Sequence, residues 1–128
     1  MPSAGRTDLP LKGYNGGEQY EERGTDWGDM DVVHAQFPAG DLAPLLRGLP
    51  DDRCQCPHWG FLLKGRILVR YADQEETITA GQSFYMPPGH APEALEDCEI
   101  VQISPAVEQR KTEEVIARNL AAIMHAAG

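Results

Sequence analysis

Between Met30 and Ser104 the chain is written in short alternating runs. "MDVVHAQF" stops at the turn "PAG", and "FLLKGRILVRYA" sets two strand-like runs on either side of Lys64-Gly65, predicting an antiparallel hairpin there. In the second run Ile67, Val69 and Tyr71 alternate with Arg66, Leu68 and Arg70, the period of two expected where one face is buried. "EETITAG", "QSFYM" and "CEIVQIS" continue in β-branched and aromatic residues, each bounded by Gly, Pro or acidic turns. Short strands at this spacing predict an all-β antiparallel sandwich or barrel.

The two ends depart from that rhythm. Residues 1–29 carry six glycines and many charges, with Leu11, Tyr14, Tyr20 and Trp27 as isolated anchors, and read as an arm lying over a larger body. After residues 30–105, the barrel, residues 106–128 change period. Ile116, Leu120, Ile123 and Met124 recur at helical spacing, with Ser104 as N-cap and Pro105 as first helical position. The apolar stripe of that helix is read as packing surface, against the barrel or a second subunit, and not as a cofactor site.

Composition narrows the function classes. The 128 residues suit one domain and one core. Twenty acidic against eleven basic residues give a formal charge of −9, and the cations are scattered, so nucleic acid and anionic membranes are poor partners. Neither a leader-like segment nor an apolar run of spanning length is present, which predicts a soluble cytoplasmic protein. Cys54, Cys56 and Cys98 are odd in number and are read as thiols.

The candidate chemistry is concentrated in "CQCPHWG". On an extended strand Cys54, Cys56 and His58 share a parity, although Pro57 interrupts the strand between them. Each residue also has a plain reading: the cysteines as small buried hydrophobes, His58 as a ring satisfying backbone groups, His90 in "PPGHAPE" as a turn residue. His34 faces cavity or solvent, since parity alone leaves both open. Glu93 is near enough to His90 in sequence to accept a proton. Trp59, Phe61 and Leu63 fall on the opposite face from His58 and predict that this outer face is covered too.

"GQSFYMPPG", Gly81 to Gly89, resembles the second cupin motif, with Gly, five residues, Pro, any residue and Gly; "HWGFLLKG" resembles the end of the first. The resemblance covers about residues 30 to 105. It implies a small single-domain cupin: an antiparallel jelly-roll barrel with a C-terminal helix, whose mouth holds a small organic ligand, often beside a divalent metal. The family's usual ligands are two histidines one residue apart, a glutamate and a further histidine. Here Asp52 and Cys54 stand at the paired positions, His58 at the glutamate's and Pro92 at the last histidine's. The nearest substitute set is Cys56, His58 and His90, with Cys54 in reserve, and His34, Gly60, Tyr85, Met86 and Glu93 are expected to line the ligand pocket. A Cys/His set favours zinc, iron or copper over magnesium or calcium. Two functional readings follow: a metal-dependent enzyme of dioxygenase, isomerase or cyclase type, or a non-catalytic, metal-free ligand-binding cupin. A homodimer is expected from the outward apolar strand, the amphipathic helix and the arm.

Overall fold

The computed structural model describes residues 3–14 and 20–127. Ten strands and one long helix follow in order: β1 (Leu11–Tyr14), β2 (Glu21–Trp27), β3 (Met30–Phe37), β4 (Gly40–Asp41), β5 (His58–Lys64), β6 (Arg66–Arg70), β7 (Glu75–Thr79), β8 (Ser83–Met86), β9 (Ala91–Ala94), β10 (Cys98–Pro105) and α1 (Ala106–Ala127). They form two antiparallel sheets, a six-stranded one in the order β1-β2-β3-β10-β5-β8 and a four-stranded one in the order β4-β9-β6-β7. The expected antiparallel jelly roll with a C-terminal helix is present. Its two sheets pack face to face and, among the described residues, are not hydrogen-bonded into a closed barrel.

The alternation read along the strands is what builds the interior. Val33, Ala35, Leu62, Phe84, Met86 and Ile100 point inward from the larger sheet and meet Ile67, Val69, Ile78 and Ala94 from the smaller. Burial of this apolar surface is the main driving term for closing the two sheets.

Two sequence expectations are corrected. The hairpin at Lys64-Gly65 does not form: β5 pairs with β8 and β10, while β6 pairs with β7 and β9. Gly65, at φ +96°, lets the chain step from one sheet to the other, and a side chain there would meet the Asp97 carbonyl and Cys98. The N-terminal segment, in turn, is part of the sheet. β2 pairs with β3 along its whole length through a turn at Gly28, and β1 adds the edge strand. Of the anchors assigned to that arm, Leu11 is exposed and Trp27 half-buried; the side chain of Tyr14 and residues Gly16 and Gly17 lie outside the described residues.

Helix α1 begins at Ala106, one residue beyond the expected start, because Pro105 still pairs with Met30 in the ladder. Its packed stripe is Gln109, Thr112, Glu113, Ile116 and Asn119, and beyond Asn119 the helix leaves the body. Leu120, Ile123 and Met124, expected on the packed stripe, are exposed instead. Asn119 Nδ2 donates to the carbonyls of Leu45 and Arg47, anchoring the helix to a short 3-10 turn at Ala43–Leu46. No helix among the described residues is long and apolar enough to cross a membrane.

Candidate metal centre

The buried polar residues of the described chain gather at one end of the interior. β3 places Asp31 opposite Ser104 of β10, and His58 starts the next strand, β5. His90 is brought alongside by a bridge of Cys54 to His90, in which Cys54 N donates to His90 O at 2.9 Å. Thr112 closes the group from α1.

Within this end the Cys54 sulfur and one ring nitrogen each of His58 and His90 lie within 4.8 Å of one another, all three residues being buried. Each ring also has a nitrogen hydrogen-bonded to the protein. His90 Nδ1 stands 2.7 Å from the Pro87 carbonyl, which can only accept, so this nitrogen carries the proton and Nε2 keeps the lone pair. His58 Nδ1 is 2.6 Å from Ser104 Oγ, and its Nε2 is 3.6 Å from Cys54 Sγ. The two imidazoles lie 4.8 Å apart, centre to centre.

Electrostatics keep both rings neutral. Burial, with a smaller contribution from His90, pushes His58 down to about 3, and burial likewise lowers His90 against the pull of the Pro87 carbonyl. The thiols move the other way. Burial raises Cys54, partly offset by hydrogen bonding with the Cys56 backbone and the Thr112 side chain, and pushes Cys56 up to about 12. Neutral imidazole is the form in which histidine binds a metal, and a dication would convert the thiol to thiolate.

The donor set fits such an ion. Tetrahedral zinc, with bonds of about 2.0 to 2.3 Å, needs donor atoms roughly 3.3 to 3.7 Å apart, within side-chain rotation of the distances here. The hydrogen bond that His90 Nδ1 donates to the Pro87 carbonyl and the one that His58 Nδ1 shares with Ser104 are the kind of support that holds ligating imidazoles in place. Three protein donors leave a fourth position open.

Of the three expected donors, Cys56, His58 and His90, the structure brings two together. His58 and His90 meet as expected, but the sulfur beside them is Cys54, named only as a reserve. Cys56 Sγ points to the carbonyls of Pro57 and Pro105 and packs with Leu46 and Ile116 beneath α1. Pro57 and the Cys54–His90 bridge break the extended geometry on which shared parity depends.

The expected pocket residues scatter. His34 lies on the outward face of β3, 3.7 Å from Glu99, with Nδ1 buried and unpartnered. Gly60 is a close-packing glycine, since a side chain there would strike the Val101 carbonyl and the Phe84 ring. Tyr85 is on the outer face, stacked on Trp59. Glu93 is held by Arg70 at 2.8 Å on the solvent side of the small sheet. Only Met86, paired in register with His58, borders the cluster. Ser104, Thr112 and Asp31 were not foreseen, although Ser104 and Asp31 share the buried parity of Ile100 and Val33.

No protein-family model matches the chain and no curated protein matches its sequence. Solved structures do. An RmlC-like cupin from Shewanella frigidimarina superposes with a TM-score of 0.55 at 15% identity, over 80% of this chain and 89% of that one. Oxalate decarboxylase from Bacillus subtilis gives 0.54 at 14% identity over 78% of this chain, which spans only 28% of the decarboxylase. At such identities the likeness is one of architecture, and it agrees with the sheet order and the motif at Gly81–Gly89: the chain has the cupin fold.

Proposed function

We propose that this cupin-fold chain holds one divalent transition-metal ion, with zinc the best match, on Cys54, His58 and His90, and that the open position receives an oxygen of a small organic molecule. The observation that carries the reading is a single one. Three donor side chains converge within 4.8 Å while one nitrogen of each ring is held by a hydrogen bond to the protein. Such an arrangement suits ligation better than a chance meeting of core residues, because an imidazole fixed at one nitrogen presents the other at a defined place.

Zinc bound there would supply Lewis-acid polarisation of a carbonyl or hydroxyl oxygen. Because zinc carries no redox chemistry, the reading falls on isomerase or cyclase reactions and away from dioxygenation. The protein's part is definite in either case. Ser104 and the Pro87 carbonyl orient the two rings, Thr112 favours the Cys54 thiolate, and α1 roofs the cluster.

Metal analysis of protein purified without an affinity tag tests the reading. About one ion per chain is expected, falling well below half on His58→Ala or His90→Ala and unchanged on exposed His125→Ala. A chain that purifies without metal and takes up neither zinc nor cobalt contradicts it. The cluster would then be a hydrogen-bonded network in a metal-free ligand-binding cupin.

A further inference from the structure

The donor cluster is closed from one side by strands and from the other by a helix, and the two are held in different ways. His90, Cys54 and His58 are only 1%, 4% and 7% exposed, so neither an ion nor an organic molecule reaches an open position there without a movement of the protein. The strands cannot supply it cheaply. β10 is laddered to β3 on one side and to β5 on the other, and Cys54 is bridged to His90 by backbone hydrogen bonds. Helix α1 belongs to no ladder. Past its first residue, Ala106, whose N–H donates to the Asp29 carbonyl, its described contacts with the body are made by side chains.

Those contacts are small. Leu46, Cys54 and Cys56 form an apolar cluster separate from the main core, and of the residues packed against it only Ile116 comes from the helix. Thr112 meets Cys54, Glu113 stands 3.8 Å from Lys12, and Arg110 pairs with Asp26 at the solvent edge. The last packed residue is Asn119, whose Nδ2 donates to the carbonyls of Leu45 at 2.7 Å and Arg47 at 2.8 Å; from Leu120 on the helix is exposed. An element with one small apolar contact and a free end is the part of a fold that opens without global unfolding.

We infer that α1 is a gate over the donor cluster, hinged at Pro105 and Ala106 and latched by Asn119, and that its opening sets the rate at which an ion or ligand enters and leaves. What passes the gate rests on the metal reading; the gate itself rests on burial and on how the helix is held. Releasing the latch raises the open population without touching a donor atom, so entry and exit quicken by the same factor while affinity is unchanged. A residue that only shaped the site would change affinity instead.

The free, buried cysteines report on the gate directly, since Cys54 and Cys56 lie under α1 whereas Cys98 belongs to the main core. In the metal-free chain, alkylation by iodoacetamide, read at each cysteine by peptide mass spectrometry, should reach Cys54 and Cys56 through a local opening that urea hardly promotes, and Cys98 only through an unfolding that urea promotes steeply. Asn119→Ala should quicken labelling of Cys54 and Cys56 about 10-fold, and should quicken cobalt uptake and release by the same factor at an unchanged Kd. Leu62→Ala, in the main core, should quicken labelling of Cys98 and leave Cys54 and Cys56 at their rate. Should Asn119→Ala fail to fold, the urea dependence in the unmodified chain and the Leu62→Ala comparison decide. One steep urea dependence shared by all three thiols, Cys54 and Cys56 quickened by Leu62→Ala as much as Cys98, or an Asn119→Ala variant that labels at the unmodified rate would overturn the gate. A chain that takes up no cobalt yet labels as described keeps the gate and loses the metal centre.

Discussion

The two halves of the interior obey opposite rules. In the middle, Leu62 and Val69 are wholly buried among apolar neighbours from both sheets, and that region needs nothing but shape to be stable. At the α1 end, Asp31, His58, His90, Ser104 and Thr112 are buried as well, and every one of them costs free energy unless partnered. Lys12 supplies a partner for Asp31 at 2.8 Å, Ser104 for His58, and the Pro87 carbonyl for His90. Concentrating buried polar groups in one place, under a helix, is what a chain gains nothing from in stability alone. The difference teaches where function is to be sought: at the end that is expensive to bury.

Substitutions and conditions that act on one half and spare the other put the contrast to work. The largest effect should come from the middle. Leu62→Ala leaves a cavity in a packed core and should cost about 2 to 5 kcal/mol in urea unfolding, while the folded fraction keeps its metal content. A cost under about 1 kcal/mol would mean that the middle is loosely packed and the contrast false.

Acid should act on the other half. In chelator-treated protein His58, held down to about 3, is neutral in the folded state at every pH above that value, whereas the unfolded chain protonates it near 6.5. Stability from this group is therefore complete above about pH 6.5 and falls as pH drops, by about 1.4 kcal/mol per unit, or roughly 2 kcal/mol between pH 6.5 and 5. His90, lowered by burial, adds in the same direction. His58→Gln should flatten the dependence over that window; an unaltered slope would show that the imidazole does not titrate on unfolding as its burial requires.

Ser104→Ala removes the hydroxyl beside His58 Nδ1 and should cost about 1 kcal/mol. It should also weaken metal binding about 10-fold by freeing the ring, whereas full metal affinity in this variant would remove Ser104 from the site. Smallest is Arg110→Ala. Its ion pair with Asp26 is solvent-exposed on both sides, so the change in stability should stay under about 0.5 kcal/mol. A larger loss would mean that the roof helix is held from its charged edge and not through Thr112 and Ile116.

The fold could be read from the chain because its signals are local. Strand parity is visible in "RILVR", and the motif at Gly81–Gly89 carries its own glycines and prolines. The false hairpin at Gly65 came from the same local view: two alternating runs around a glycine look alike whether the chain turns back in one sheet or crosses to another. Of the site, His58 and His90 were legible through motif position, since each stands near a fixed turn. Choosing Cys54 over Cys56 was not. It depends on a bridge to His90, 36 residues onward, that no spacing rule encodes. Ser104 was read as a helix cap, because a serine before a proline has that meaning locally, while its role beside His58 exists only once β10 lies next to β5.

Cobalt titration of the metal-free chain tests the central claim most directly, because a thiolate bound to cobalt gives a charge-transfer band that imidazole alone does not. The unmodified chain and Cys56→Ser should both show the near-ultraviolet band and tetrahedral visible absorption at about one equivalent, and Cys54→Ser should lose the charge-transfer band. A band that persists in Cys54→Ser and vanishes in Cys56→Ser, or no band in the unmodified chain, would contradict a metal centre built on Cys54, His58 and His90.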